Sequence, residues 1–310
     1  MKACRVHQFG GPDVISYEDI DRPRPAAGEV LIKVAAAGVG PWDSWIRAGK
    51  SALPQPLPLT LGSDLSGVVE ACGSEVTGLA IGDAVFGVTN AQFTGAYADY
   101  AIASAGMIAT KPSILGYIDA ASLPVVAATA WQALFDQAQL NAGQSVLIHG
   151  AAGNVGSFAV QFAREAGLDT IATAASNDIE YVRGLGARNV IDVRAERFED
   201  VVGKVDAVID LIGGDTQARC FAVLTPNGRL ISTVSPPDQK LAQTHSVTAA
   251  FFLVGVTTER LTQIAALLAA GKIVTQVGTV LDLPAARIAH EMLEGMRPRP
   301  RGKIVLKVTG

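Results

Sequence analysis

Hydrophobic and polar positions follow two different patterns along this chain, and the change falls near residue 119. Residues 2–111 contain short apolar, β-branched runs, separated by glycine and proline at the intervals typical of an all-β barrel or sandwich. From residue 120 onward, apolar helical patterns alternate with β-branched runs. This alternation predicts a doubly wound parallel sheet with helices on both faces.

The first pattern returns at the end of the chain. After a helix predicted over 259–270, short strands at 275–281 and 303–308 flank a helix predicted over 285–295. We therefore predict that an α/β domain, residues 120–277, is inserted into a β-rich domain formed by residues 1–119 and 278–310. One helix over 120–136 is predicted at the first junction.

A glycine-rich turn lies between a predicted strand, residues 145–149, and a helical pattern that begins at Val155. Glycines recur there at every third position, and such glycines permit a tight turn, a close backbone approach to phosphate and close helix packing. This context predicts dinucleotide binding at a helix N-terminus, although a turn that merely joins strand to helix is the alternative. The predicted contacts are Gly150, Ala151, Ala152, Gly153, Asn154, Val155 and Gly156.

The next predicted strand ends at Ala174, and no acidic residue stands where an NAD-preferring site places one on the ribose hydroxyls. Ser176 and Asn177 leave room and donors for a 2′-phosphate, which favours NADPH over NADH; either could instead cap a helix. Gly213 and Ser235 follow two later strands at the ligand-binding edge of the sheet. We predict that both contact the cofactor, with an ordinary tight turn the alternative at Gly213.

Composition excludes several classes of protein. The net charge is −4, and the one basic stretch, residues 297–303, is typical of a solvated loop, so no nucleic-acid partner is expected. No charge-free segment reaches the roughly 20 apolar residues of a membrane span. Three widely spaced cysteines form no disulfide framework or zinc ribbon. A cytoplasmic location is expected.

Further motifs carry a family resemblance: Gly62-Ser63-Asp64-Leu65-Ser66-Gly67-Val68-Val69, Gly82-Asp83-Ala84-Val85-Phe86-Gly87, Gly95-Ala96-Tyr97-Ala98-Asp99-Tyr100, Thr129-Ala130-Trp131-Gln132-Ala133-Leu134 and Arg301-Gly302-Lys303-Ile304-Val305-Leu306. With the glycine turn they resemble the medium-chain dehydrogenase/reductase superfamily over essentially the whole chain. The resemblance implies a GroES-like β-rich barrel domain carrying an inserted Rossmann domain, and a homodimer. It also implies cofactor contacts from Thr129, Phe252, Leu253 and Lys303.

The residues at the zinc-ligand positions of the family indicate which branch of the superfamily this chain resembles. Zinc alcohol dehydrogenases of this superfamily have a cysteine ligand at the position of Gly40 and a Gly-His-Glu run where this chain has Gly62-Ser63-Asp64. The four histidines are scattered, so we predict no zinc. Without a Lewis acid, alcohol oxidation is disfavoured, whereas conjugated acceptors need only hydrogen-bond donors. The resemblance is therefore to the zinc-independent quinone oxidoreductase branch, which includes zeta-crystallin-like proteins and enone reductases.

The substrate side departs from that branch as well. The family's Asn-Pro-x-Asp segment reads Gly40-Pro41-Trp42-Asp43, and Trp45 replaces a tyrosine, so no proton donor is identified. The pocket candidates are Trp42, Asp43, Trp45, Ser63 and Thr129. Both tryptophans could instead pack within a loop, and Thr129 could simply be a helix position near the cofactor.

The predicted function is NADPH-dependent, zinc-free hydride transfer to quinones or α,β-unsaturated carbonyls. Two alternatives remain from the sequence. One is a cofactor-binding protein with little catalysis, acting as a sensor or on RNA, and the weaker one is a zinc-dependent alcohol dehydrogenase.

Overall fold

The computed structural model describes residues 1–308. Its strands are β1 Lys2–Val6, β2 Ser16–Asp19, β3 Glu29–Val39, β4 Leu59–Thr60, β5 Asp64–Cys72, β6 Ala84–Val88, β7 Tyr100–Ser104, β8 Ile108–Thr110, β9 Ser145–His149, β10 Asp169–Ala174, β11 Asn189–Asp192, β12 Val205–Asp210, β13 Leu224–Ser232, β14 Thr248–Phe251, β15 Val277–Asp282 and β16 Lys303–Lys307. Its α-helices are α1 Pro41–Arg47, α2 Tyr117–Ala121, α3 Pro124–Trp131, α4 Asn154–Glu165, α5 Ile179–Leu185, α6 Phe198–Val201, α7 Gly214–Cys220, α8 Gln239–Thr244, α9 Thr258–Ala269 and α10 Ala286–Leu293.

The chain forms two compact units. One comprises Met1–Val125 and the chain from Val256 onward, and the other comprises Val126–Gly255. Helix α9 belongs to the first unit, where the Thr258 hydroxyl donates to the backbone oxygens of Ala105 and Ile108 at 3.0 and 2.7 Å. The domain limits at residues 120 and 277 stay a prediction.

The β-rich unit is built around the long strand β3. A seven-stranded sheet has the order β15-β16-β3-β5-β6-β8, with β7 also paired to β3, and a three-stranded sheet has the order β2-β1-β4. Strand β16 pairs antiparallel to β3 with Ile304 opposite Val39, and β5 pairs on the other side with Leu65 opposite Ala37. This register brings the starts of β16 and β5 to the end of β3, where α1 begins.

The α/β unit contains one parallel sheet of six strands, in the order β11-β10-β9-β12-β13-β14. Renumbered from β9, this is the order 3-2-1-4-5-6 of dinucleotide-binding sheets, which reverses direction next to the first strand. The core strands β9 and β12 are buried almost throughout, as expected for a sheet covered on both faces. The predicted Rossmann-type sheet and β-rich GroES-like unit are therefore confirmed.

The single helix predicted over 120–136 is wrong. The chain forms α2, then α3 from Pro124, and then a π-helical turn, Gln132–Gln137. A proline ring clashes with the preceding helical turn and lacks an N–H, so α2 cannot continue through Pro124. The Val125 N–H at the start of α3 instead donates to Asp64 Oδ1 at 3.0 Å.

No helix within residues 1–308 is long and apolar enough to cross a membrane.

Candidate active site

The glycine turn joins β9 to α4 in the α/β unit, as predicted. Gly150 has φ +76°, a left-handed conformation that favours glycine. A Cβ on Gly156 would lie 2.4 Å from the Gly150 oxygen and 2.7 Å from the Ala151 Cα. The helix therefore packs directly on the backbone of the turn. Two hydrogen bonds to Thr173 of β10 fix the turn, from Gly150 N to Oγ1 at 3.2 Å and from Ala151 N to the backbone oxygen at 3.0 Å.

This geometry fits the pyrophosphate of a dinucleotide. The N–H groups in the first turn of α4 have no acceptor within the helix, and the helix dipole places partial positive charge at the same end. Gly153 is the residue before the helix and Asn154 is its first residue. Backbone donors at such an end bind phosphate without a basic side chain.

His149 lies directly before the turn and is buried. Its Nδ1 is 2.7 Å from the Thr173 hydroxyl oxygen, and burial lowers its pKa to about 4. The ring is therefore neutral at physiological pH, and it supports the turn through Thr173.

An acidic side chain that the sequence reasoning missed lies at the end of the neighbouring strand β11. Ser176 and Asn177 are exposed after β10, but the Ser176 hydroxyl donates to Asp192. That hydrogen bond, together with the Arg194 N–H at 2.9 Å, lowers the pKa of the Asp192 carboxyl. An acid from β11 thus stands beside the predicted 2′-phosphate contacts, and only the pairing of β10 with β11 could have located it.

The other predicted cofactor residues of this unit have separate positions. Gly213 and Ser235 follow β12 and β13 at the carboxyl edge of the sheet, and Phe252 and Leu253 follow β14 there. The carboxyl edge thus collects these residues with the glycine turn and Ser176, as a ligand site requires. Thr129 is buried in α3. Their roles as contacts stay predictions.

In the β-rich unit, the half-buried Trp42 packs with the buried residues Ser63, Asp64 and Lys303 in a group here called the Lys303 cluster. The Trp42 indole N–H donates to Ser63 Oγ at 2.9 Å, and Lys303 Nζ lies 2.8 Å from Asp64 Oδ2. The same ammonium is 4.4 Å from the centre of the Trp42 ring, within cation–π range. Lys303, predicted as a cofactor contact, is 2% exposed and ion-paired inside this unit.

Asp43 lies beside this cluster in α1 and is fully buried. Its Oδ2 accepts hydrogen bonds from the Gly40 N–H at 2.8 Å and the Tyr97 hydroxyl at 3.1 Å. Burial raises the pKa of this carboxyl to about 7. Asp43 thus fixes the start of α1 and changes charge near neutral pH.

The opposite end of α1 is also anchored. Arg47 is buried and its guanidinium contacts the Gly10 oxygen at 3.1 Å, His290 Nδ1 at 3.0 Å and the Glu294 carboxylate. Burial lowers the pKa of His290 to about 3, so the histidine is a neutral partner. In contrast, Trp45 in the middle of α1 is 53% exposed. A helix held at both ends therefore presents one substrate candidate, Trp45, at the surface.

Replacing Asp43 by asparagine tests this assignment through the pH dependence of stability. The folded carboxyl holds its proton to about pH 7, against 3.8 for an ordinary Asp, so stability is fully present below pH 3.8 and is lost as the pH rises through 7. We expect Asp43→Asn to equal the wild type near pH 4 and to exceed it at pH 8 by about 2–4 kcal/mol. Urea unfolding at several pH values measures this difference, and parallel wild-type and variant profiles would contradict it.

The zinc-ligand positions of the resembling enzymes hold Gly40, Ser63 and Asp64. Asp64 already engages the Lys303 ammonium and the Val125 N–H, one on each oxygen. Within Met1–Val308, no three His, Cys, Asp or Glu side chains are grouped closely enough to hold a metal ion. This donor set does not fit a zinc site, since zinc needs three or four such ligands.

Two protein families match the chain. Residues 26–113 match the alcohol dehydrogenase GroES-like domain, and residues 185–306 match the zinc-binding dehydrogenase family. Human quinone oxidoreductase is 33% identical over 308 residues, covering 94% of this chain and 93% of the human protein. The 2-methylene-furan-3-one reductase of Solanum lycopersicum is 34% identical over 257 residues, covering 79% of this chain and 66% of that protein.

Solved structures give the same comparison in three dimensions. The quinone oxidoreductase of Coxiella burnetii superposes with a TM-score of 0.91 at 34% identity, covering 100% of this chain and 99% of the other. The Escherichia coli quinone oxidoreductase complexed with NADPH superposes with a TM-score of 0.87 at 26% identity, covering 98% of this chain and 100% of the other.

Proposed function

Because the chain belongs to the quinone oxidoreductase branch of the medium-chain dehydrogenase/reductase superfamily, we propose that it is an NADPH-dependent, zinc-free reductase of quinones or α,β-unsaturated carbonyls. The observation that carries this proposal is the glycine turn, where Gly156 packs so closely on Gly150 and Ala151 that only glycine fits. The human quinone oxidoreductase and the tomato 2-methylene-furan-3-one reductase support the two acceptor classes.

The cofactor is proposed to be NADPH, with NADH second. The E. coli relative was solved with NADPH, and Ser176 and Asn177 are exposed where a 2′-phosphate would need room. NADH is kept as the second choice because the Asp192 carboxylate, which accepts from the Ser176 hydroxyl, stands beside them. The first turn of α4 would hold the pyrophosphate through backbone N–H groups. Bound NADPH supplies the hydride.

Activity without zinc is proposed from the chemistry of the acceptor. Hydride addition to a quinone or enone places negative charge on a conjugated oxygen, which hydrogen-bond donors stabilise without a metal. Oxidation of a simple alcohol needs an alkoxide, which is stabilised best by a Lewis acid. Residues Gly40, Ser63 and Asp64 offer no such site, which favours reduction of the conjugated acceptor.

The pocket residues are proposed to be Trp42, Asp43, Trp45 and Ser63. The exposed Trp45 presents an indole N–H that can donate to the acceptor but cannot relay a proton. Trp42 is held in place by Ser63 and by the Lys303 ammonium. Solvent or a ribose hydroxyl of the cofactor is proposed to supply the proton that completes the reduction.

Stopped-flow oxidation of NADPH and NADH with ortho-quinones, para-quinones and 2-alkenals tests the proposal, with protein dialysed against a chelator. We expect turnover of at least one acceptor class with NADPH, and metal analysis that finds no stoichiometric zinc. Tight NADPH binding without turnover of any acceptor would favour a cofactor-binding protein with little catalysis. Activity that disappears with the chelator and returns with zinc would favour an alcohol dehydrogenase.

A homodimer is also proposed, formed by the α/β unit. Strand β14 ends its sheet and pairs on one side only, with β13. Phe251 and Leu253 beside this edge are exposed apolar residues, and an exposed strand edge is a template for pairing with a second chain. Phe252 N donates to Ser232 of β13, so the alternate residue Ala249 turns its N–H to the open edge of β14. Sedimentation analysis should find a dimer that Ala249→Pro weakens, because proline cannot donate a hydrogen bond across that edge. A monomer at all concentrations would refute it.

A cytoplasmic location is proposed from the cysteines, since Cys4, Cys72 and Cys220 are all free. Cell fractionation that recovers the protein outside the cytoplasm would contradict it.

A further inference from the structure

Asp210 ends strand β12, and its buried carboxylate accepts four hydrogen bonds. Oδ1 accepts from the N–H groups of Ile212 at 3.1 Å and Gly213 at 2.9 Å. Oδ2 accepts from Gln217 Nε2 and Ser232 Oγ, both at 2.9 Å. A carboxylate is the side chain suited to this position, because an ionised Asp accepts at both oxygens and donates at neither.

These donors connect Asp210 to two loops, here called the Asp210 loops: residues 211–214 after β12 and residues 233–235 after β13. The first loop is held by the two backbone N–H groups. The second is held through intermediaries, because Ser232 Oγ also accepts from Val234 N at 3.2 Å and Ser235 N at 3.4 Å. Gln217 Nε2 also donates to the Ser235 oxygen at 3.0 Å. One buried charge therefore fixes both loops.

The Asp210 loops follow the two strands on one side of the glycine turn. Asp210 lies opposite His149 in the β9–β12 register, so the first loop neighbours the turn at the same sheet edge. Strands β10 and β11 lie on the other side of β9. In a sheet of this order a dinucleotide lies across the edge, with one mononucleotide half on each side. The adenosine half then belongs to β10, near Ser176, and the nicotinamide half to the Asp210 loops.

We propose that Asp210 is a positioning residue for the nicotinamide half of the cofactor, an inference that rests on the proposed function. Asp210 is buried under its own loops and acts only by holding them in shape. A carboxylate suits this position because all four groups that hydrogen-bond to it are donors. Asparagine would replace one of its oxygens by an NH₂ group, which would face two of these donors. Gln217 could accept a hydrogen bond from such an NH₂ group only by turning its side-chain oxygen toward it. Its own NH₂ group would then point away from the Ser235 oxygen, and the second loop would be released.

The test compares Asp210→Asn with Asp206→Asn. Asp206 belongs to the same strand but lies at its amino end, where its Oδ2 accepts from Ser145 N at 2.7 Å and Ser145 Oγ at 2.8 Å. Each variant loses a carboxylate that accepts hydrogen bonds from backbone and side-chain donors. Only Asp210 lies at the carboxyl edge of the sheet. Calorimetric titrations with NADPH and with 2′,5′-ADP, which carries the adenosine half alone, separate the two sides of the sheet.

We expect Asp210→Asn to weaken NADPH binding by about tenfold or more and to leave 2′,5′-ADP binding within about twofold of wild type. Asp206→Asn should leave both affinities within about twofold, whatever it does to the melting temperature. Should Asp210→Asn fail to fold, Gln217→Met keeps the Asp210 carboxylate but removes the amide that joins it to the Ser235 oxygen, and should give the same selective loss at about threefold.

Unchanged NADPH affinity in the folded variants would overturn the inference, and so would equal losses for NADPH and 2′,5′-ADP, since these would indicate a general structural effect. Failure of the wild-type protein to bind NADPH would instead refute the proposed function.

Discussion

Gly156→Ala is expected to abolish NADPH binding at micromolar concentrations. The added Cβ would lie 2.4 Å from the Gly150 oxygen and 2.7 Å from the Ala151 Cα, and both atoms belong to the backbone of the turn. Helix α4 or the turn must therefore move, which displaces the donors that face the pyrophosphate. We expect the Kd for NADPH to rise about 100-fold or more, equivalent to about 2.7 kcal/mol, as measured by calorimetry.

Gly184→Ala is the matched control for this variant. Gly184 lies in helix α5, where a Cβ would meet nothing within 4 Å. Alanine there should stabilise the protein by about 1 kcal/mol through helix propensity and leave the Kd unchanged. Wild-type affinity in Gly156→Ala would show that the cofactor does not depend on this turn.

Lys303→Met is expected to cause the largest loss of stability, about 3–5 kcal/mol in the free energy of unfolding. The ammonium is the partner of Asp64 at 2.8 Å, and the side chains are 2% and 0% exposed. Methionine fills a similar volume but leaves the Asp64 carboxylate buried without a counter-charge. Urea unfolding at pH 7 measures the loss.

Two further variants identify the cause of that loss. Lys307→Met removes an exposed lysine at the other end of β16 and should change stability by less than about 0.5 kcal/mol. The double variant Asp64→Asn/Lys303→Met removes both charges and should recover about half or more of the loss, because it leaves no unpaired buried charge. With Asp64→Asn measured alone as well, a double variant whose loss equals the sum of the Lys303→Met and Asp64→Asn losses would contradict the ion-pair explanation.

The strand, glycine turn and helix at residues 145–166 were predicted from the sequence because their signals are local. The strand, the glycine spacing and the start of the amphipathic helix occupy consecutive residues, 145–166, and the structure places β9, the turn and α4 there. The alternation of strands and helices likewise predicted the parallel sheet, since each crossover connection is confined to a short segment of the chain. Asp192 was missed because its proximity to Ser176 depends on the pairing of two strands.

The surroundings of the proposed pocket residues were predicted less completely because they are assembled from distant parts of the chain. Asp64 and Lys303 are separated by 239 residues, and the register of β3, β5 and β16 alone brings them together. Tyr97, which donates to Asp43, lay inside a recognised motif, but nothing in that motif shows what its hydroxyl contacts. The partial burial of Trp42 and the exposure of Trp45 depend on packing that spacing does not encode.

Helix α3 shows the limit of a hydrophobic pattern. Residues 120–136 are apolar enough for one continuous helix, but Pro124 interrupts it and the last turn is π-helical. The carboxylate of Asp64 then accepts the N–H at the new helix start. The proline at residue 124 and the hydrogen bond from Val125 to Asp64 therefore divide a segment that hydrophobic periodicity alone predicts to be one helix.

The most direct test of the account is the fate of deuterium transferred from NADPH deuterated at nicotinamide C4 to a 2-alkenal, in metal-free buffer. Metal-independent hydride transfer to the conjugated position predicts a saturated aldehyde that carries the label at C3, identified by NMR of the product. Label at C1 of an allylic alcohol would show reduction of the carbonyl, as expected of an alcohol dehydrogenase, and would contradict the account. So would a wild-type protein that labels no alkenal and oxidises NADPH with no quinone, where oxidation is followed directly because label on a hydroquinone oxygen exchanges with water.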